Sequence, residues 1–295
     1  MAGRGAREAA LSVPPAVARR PVALVRSARP PGGAASEEQL ATALRQLGWD
    51  ARAVAPRDLA GLGGALVLFD EPPDLLRRLL ARRRGQAVLL DGRARWAETG
   101  RRPAVWNVAG ALFANRAQQA ELDRPSWTSA VLSAAASPDL RPHAVPPGEL
   151  RALVLGSREC RTMLAEMPGL CYAEGDPAGI AGQFNCHVAL SRSAAEARYR
   201  SNLPVAVAAA CGALLVTTRD VSAVESLGED YPYYCDPNPR SVAATLERAR
   251  RELGTAARRG AHDRLQAARR STMLDAVAGA LAAHLERVVA ARGAR

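Results

Sequence analysis

A chain of 295 residues is too long for one small domain and fits two of ordinary size, and its 48% hydrophobic content can supply two cores. Aromatics at 4% mean that those cores are built from Leu, Val and Ala. The net charge of +11 rests on 40 basic residues, all of them arginine; the absence of lysine beside abundant Ala, Gly and Pro marks a GC-rich coding bias, so no nucleic-acid partner is expected.

Cys160, Cys171, Cys186, Cys211 and Cys235 stand singly, without CxxC or Cys/His spacing, which supports neither a disulfide framework nor a metal site. Reduced thiols in a cytoplasmic protein are the plain reading. No apolar run is long enough to cross a bilayer. Residues 1–19 lack the apolar centre of a signal peptide and read as a disordered leader.

Order begins at the short apolar strand Pro21–Val25, followed by a glycine-bearing loop and a helix from Ser36 to Leu47. Ser36 with Glu37 and Glu38 after it is a capping hydroxyl and two acids against the helix dipole. Leu40, Ala43, Leu44 and Leu47 form one apolar face, and a strand after Gly48 completes a βαβ opening. Gly32-Gly33 by itself reads as a turn, although such a loop can also offer N–H groups to an anion. Further apolar strands are expected at Ala65–Phe69, Gln86–Leu90, Ala111–Ala114 and Ala130–Ala134, with a basic helix over Leu75–Arg84 that reads as a solvated face. Asp91 falls at a strand's carboxyl end, where open α/β sheets bind ligands; it could equally cap the following helix. The stretch from Asp91 to Trp106 is polar and Arg-rich, with Trp96 and Trp106 available for stacking or as lids on the core.

Ser137–Glu149 reads as a proline-rich linker, and its His143 has no partner pattern. Beyond it come a strand over Leu150–Ser157, a short strand Cys171–Gly175, a short helix over Asp176–Gln183 and a strand over His187–Ser193. His187, opening that buried strand, reads as structural. A loop from Arg192 to Asn202 leads into an Ala-rich apolar helix closed by Gly212, where a C-cap favours a left-handed residue. The following ALLVTT has no polar alternation, which implies cover on both faces and hence a parallel sheet. A short helix from Val221, a terse strand at Tyr233–Cys235, an amphipathic helix Pro239–Leu253 and a long Arg/Ala-rich helical tail, Ala256–Arg292, broken near Ser271, end the chain.

The ordered series Ala208-Ala209-Ala210-Cys211-Gly212, Leu214-Leu215-Val216, Asp220, Glu225 and Asp236-Pro237 resembles the donor-binding half of GT-B fold glycosyltransferases, whose familiar form is close to E-A-M-A-C-G-x-P-V-V-x-x-D…E…D-P. Ala-Cys-Gly-Ala-Leu-Leu is similar to a looser variant in spore-coat and exopolysaccharide transferases. Pro30-Pro31-Gly32-Gly33-Ala34, with Leu40, Ala41, Leu44 and Gly48 behind it, is similar to the opening of the same family.

The resemblance implies an α/β chain of two Rossmann-like, doubly wound domains facing across a cleft: residues 20–138 on the acceptor side, a linker at 139–149, and a donor domain at 150–270. Residues 271–295 would pack back toward the first domain, with Met273, Val277, Leu281 and Leu285 on the packing face. It also implies metal-independent transfer of a sugar from a nucleoside-diphosphate sugar to a hydroxyl acceptor, with no cofactor. Gly32, Gly33, Ser157, Arg158, Arg161, Ser201, Asn202, Thr218 and Glu225 are the candidates for donor and phosphate binding. Arg93, Arg95 and Trp96 are those for the acceptor side. Arg-rich helices next to apolar faces are compatible with peripheral membrane contact and a lipid-linked acceptor.

The chain departs from the family at its E-x(7)-E pair, whose positions here hold Tyr199 and Val207. Asp91 and Glu196 remain as candidate catalytic carboxylates. Two alternatives stay open: a divergent working transferase, and a catalytically inactive GT-B-like binding or scaffold protein.

Overall fold

The computed structural model describes residues 21–25, 33–55, 58, 65–69, 88–91, 109–156, 158–172 and 177–293. The expected basic helix at Leu75–Arg84, and Gly32, Arg93, Arg95, Trp96, Trp106 and Ser157, lie outside them.

The first part of the chain forms a six-stranded sheet of β1 (Pro21–Val25), β2 (Asp50–Val54), β3 (Ala65–Phe69), β4 (Val88–Asp91), β5 (Gly110–Phe113) and β6 (Ala130–Val131). Its order is β2-β1-β3-β4-β5-β6 and every pairing is parallel. Between β1 and β2 runs α1 (Glu37–Gln46), started by a full capping box: the Ser36 hydroxyl accepts from the Gln39 N–H and the Gln39 side chain accepts from the Ser36 N–H. Its buried face, Leu40, Ala41, Ala43 and Leu44, packs into a core with Val22, Leu24 and Leu112. β5 is buried along its whole length, and α2 (Arg116–Leu122) follows it.

The second sheet contains β7 (Ala152–Val154), β8 (Leu170–Tyr172), β9 (Cys186–Ala189) and β10 (Leu214–Thr217), in the order β10-β9-β7-β8, again all parallel. Its helices begin with α3 (Arg158–Leu164), α4 (Ala194–Tyr199), α5 (Leu203–Cys211) and α6 (Val221–Leu227). Residues 205–211 of α5 are all buried, which explains why that helix is almost pure Ala and Val: a larger or polar side chain has no side to turn to. Gly212 ends it with φ 64°, the left-handed geometry an L side chain resists. Two crossovers reverse direction, at β1/β3 in the first sheet and β7/β9 in the second, so each sheet has a switch point whose crevice opens at the strands' carboxyl ends.

Then come α7 (Pro239–Arg251), α8 (Ala256–Thr272) and α9 (Leu274–Gly293). Val242, Leu246, Ala261, Leu265 and Ala268 of α7 and α8 join the second core. The chain turns at Met273, and α9 inserts Val277, Leu281, Leu285 and Val288 into the first core, against α1. Each such fully buried aliphatic side chain contributes roughly 2 kcal/mol.

Several local expectations are corrected. Met273 is exposed and lies outside the α9 packing face, because it sits at the turn between helices. The stretch Arg192–Asn202 is not all loop: Ser193 accepts from the Glu196 N–H and starts α4. Of the helix expected over Asp176–Gln183, the described residues 177–183 form two 3-10 turns, Pro177–Gly179 and Ala181–Gln183, in place of one helix. Tyr233–Cys235 makes a single bridge, Thr217 to Tyr234, and no strand. The proline-rich segment carries no helix or strand but packs Leu140 into the second core and donates the His143 N–H to the Cys211 carbonyl.

Candidate functional site

The carboxyl ends of β9 and β10 carry a polar cluster that closes on itself. Thr218 donates its hydroxyl to Asp220 Oδ1 at 2.7 Å and accepts from the Ser191 N–H at 2.9 Å. Arg200 lies 3.7 Å from Asp220 Oδ2, and its guanidinium also donates to the Ser191 hydroxyl. Burial pushes the Asp220 carboxyl above the usual carboxylate range, with the Thr218 hydrogen bond and Arg200 opposing the shift. Beside this cluster lies a cavity of about 440 Å³ lined by Arg192, Ser193, Thr218, Arg219, Asp236 and Ser241. Both of its arginines are paired, Arg192 with Glu159 and Glu196, Arg219 with Glu229.

A second cavity, about 620 Å³, lies between the two halves of the molecule. Arg116 and Ser133 come to it from the first half, and Asn202, Ser222 and Glu225 from the second. Its geometry is fixed by hydrogen bonds that cross between the halves. The Asn115 amide, fully buried, donates to the carbonyls of Arg198 and Arg200 while its oxygen caps α2. The Arg116 N–H donates to Glu225 Oε1 at 3.1 Å, and the Ala134 N–H donates to Asn202 Oδ1 at 2.8 Å. Arg198 pairs with Glu121 at 2.9 Å. Asn202 stands at the N-cap of α5 without capping it, so that its side chain reaches across to Ala134. Pro204 in the first turn of α5 supplies no N–H, so what this end offers an anion is the helix dipole and the turn's remaining N–H groups.

Of the residues singled out in the sequence, Asn202 and Glu225 meet at this cavity, with Ser201 half-buried beside Asn202. Thr218 sits in the closed cluster. Gly33 is buried with φ 78°, its carbonyl held by the Ser137 N–H, so the glycine loop is stitched to the segment after β6. Asp91 is the last residue of β4, paired with Phe69 and Leu112. Arg158 is the first residue of α3, and Arg161, one turn on, is half-buried. Glu196 accepts from the Arg192 N–H at 2.9 Å and pairs with the Arg192 side chain, a local helix-start role. His187 is buried with Nε2 3.1 Å from the Ala181 carbonyl, and burial pushes it down to about 4. Sequence reasoning missed Arg116, Ser222 and Asn115 as cleft residues. Among the described residues, no cluster of three or more His, Cys, Asp or Glu could hold a metal, and no helix is long and apolar enough to cross a membrane.

No protein-family model and no curated protein sequence matches the chain. Solved structures do match its fold. Sucrose-phosphate synthase from Thermosynechococcus elongatus is similar with a TM-score of 0.66 at 14% identity, over 92% of this chain and 100% of that one. A glycosyltransferase from Rickettsia africae has a TM-score of 0.64 at 9% identity, over 92% of this chain and 99% of the other. Anabaena HepE, in complex with UDP and glucose, gives 0.58 at 9% identity over 91% and 99%.

This is the GT-B fold. Val207, which the sequence resemblance sets opposite a glutamate, is only 2% exposed and belongs to the second core.

Proposed function

We propose that the protein is a glycosyltransferase moving a sugar from a nucleoside-diphosphate sugar to a hydroxyl acceptor without a metal. The observation that carries this reading is the convergence of Asn202, Ser222 and Glu225 on a cavity between the two halves of a GT-B fold, at the N-terminus of α5. A carboxylate accepts sugar or ribose hydroxyls, while amide and helix N–H groups suit a diphosphate leaving group. The complex of the similar HepE with UDP and glucose supports a donor of this class. In this reading Ser157, Arg158, Arg161, Ser201 and Asn202 attend the phosphates, Glu225 a hydroxyl pair, and Gly32 and Gly33 bring the first half's loop close. Thr218 orders the strand end. Asp91, Arg93, Arg95 and Trp96 form the acceptor side, and the chain works in the cytoplasm with its thiols reduced.

One observation favours a second reading, a GT-B module that binds without catalysis: the family's later glutamate is replaced by a core valine, and Glu196 is engaged at its own helix start. Thermal stability measured against a panel of nucleoside diphosphates and their sugars separates the readings from a protein with no donor site. A selective rise in melting temperature with one diphosphate is expected. Release of free sugar or transfer product from the matching donor then distinguishes the transferase from the binding module. If no member of the panel stabilises the protein, the transferase reading fails.

A further inference from the structure

We propose that Arg116 is a diphosphate ligand supplied by the first half of the molecule, so that the donor is fully gripped only when both halves are together; this rests on the donor reading above. Arg116 opens α2 at the carboxyl end of β5, and its backbone is pinned to the second half through Glu225 Oε1. Its guanidinium makes no ion pair or hydrogen bond among the described residues. The neighbouring cations are committed: Arg198 to Glu121, Arg192 to Glu159 and Glu196, Arg200 to Asp220. Arg116 is therefore an uncommitted cation on the wall of the interdomain cavity.

The same cavity holds a built polar counterpart. Asn202 is 6% exposed and its oxygen is fixed by the Ala134 N–H, so its amide NH2 has a set direction and no partner among the described residues. Ser222, 3% exposed, adds a hydroxyl with no partner among the described residues. The start of α5, a helix of 9 residues, lies directly behind Asn202. A cation, an amide donor and a helix N-terminus sharing one cavity suit an anion with several oxygens, and arginine can hold two of them at once. Glu225, with one oxygen engaged by the Arg116 N–H, leaves the other for a hydroxyl. An acceptor of hydroxyls next to a cluster of anion donors matches the adjoining ribose and diphosphate of a nucleoside diphosphate. Glu225 would disfavour an anion placed on its own side, which leaves the diphosphate to Arg116 and Asn202.

The test is calorimetric titration of wild type and Arg116→Gln with UDP, ADP and GDP and with the parent nucleosides. For the diphosphate that binds wild type, the variant is expected to lose about tenfold or more in affinity, as for removal of a charge-assisted pair, with the nucleoside affinity unchanged. Arg116→Lys should restore part of the loss. The melting temperature of the ligand-free variant should stay at the wild-type value, since the guanidinium makes no hydrogen bond or ion pair among the described residues. Undiminished diphosphate binding in Arg116→Gln, or equal loss for nucleoside and diphosphate, overturns the assignment. So does intact diphosphate binding with a raised acceptor KM, which would move Arg116 to the acceptor. Failure of wild type to bind any nucleoside diphosphate removes the donor reading and this inference with it, whereas wild-type binding with an indifferent variant removes Arg116 alone.

Discussion

Two polar clusters lie at strand ends of this molecule, and they are built in opposite ways. At β9 and β10, Ser191, Thr218, Asp220 and Arg200 bond one another within the second half. At the second cavity, Arg116, Asn202, Ser222 and Glu225 come from both halves, and each retains bonding capacity that the described residues do not use. A buried polar network that is complete specifies and rigidifies a fold; one left open at a cavity is a place for a ligand. Burial alone therefore does not mark a site: Asp220 is more deeply buried than Asn202 and Ser222, yet its carboxylate is taken up by Thr218 and Arg200.

The comparison breaks hardest where a charge is forced into the packed interior between the clusters. Val207→Glu restores the family's carboxylate in name, but at a core position it should destabilise the protein by on the order of 4 kcal/mol and restore no activity. Denaturant unfolding measures the loss, and a stable, active variant would show that α5 can turn this face to the cleft. Asp220→Ala opens the closed cluster and takes their shared partner from Arg200 and the Thr218 hydroxyl; a loss of about 3 kcal/mol is expected by the same measurement. Glu225→Gln touches the open cluster, so its stability should stay within about 1 kcal/mol of wild type while affinity for the nucleoside half of the donor falls. Equal destabilisation by Asp220→Ala and Glu225→Gln would erase the distinction.

A pH titration adds a smaller effect near neutrality. His187 is kept neutral, its folded value near 4 lying below the ordinary 6.5. The unfolded chain therefore takes up this proton first as pH falls. Stability tied to neutral His187 is complete above the ordinary histidine range and drains as pH drops toward the folded value, to a total of about 3 kcal/mol. Asp220 acts with the opposite sign, since its raised carboxyl binds a proton more readily in the fold than in the unfolded chain. Stability measured between neutral and mildly acidic pH should thus fall less steeply in His187→Gln than in wild type. An unchanged slope would free His187 of any share in acid unfolding.

Much of the fold could be read from local chemistry. Ser36 with Gln39, Gly212 with the apolar run after it, and the aliphatic positions from Val277 to Leu285 each announce their element through a cap, a left-handed turn or a period. The helix at Ala194–Tyr199 was legible too, through Ser193 and Glu196 at capping-box spacing, but its short length and the arginines in and around it make it look like loop. Asn202 and Glu225 stood out because they adjoin a recognisable helix and strand. Arg116 did not: its partner Glu225 is 109 residues away, and the region around it offers no periodic signal that ties the two. Contacts between halves depend on how two separately formed sheets meet, and nothing local to either one encodes that.

The insertion of α9 into the first core carries a consequence for biosynthesis. A ribosome releases the strands of the first sheet long before residues 274–293, which supply Val277, Leu281, Leu285 and Val288 to that core. Until then the apolar side of α1 lacks its cover, and the nascent first half carries a sticky surface through the whole translation of the second. Such a chain gains its final compactness in one late step, and a premature stop before α9 should yield an aggregating fragment in place of a folded amino-terminal domain.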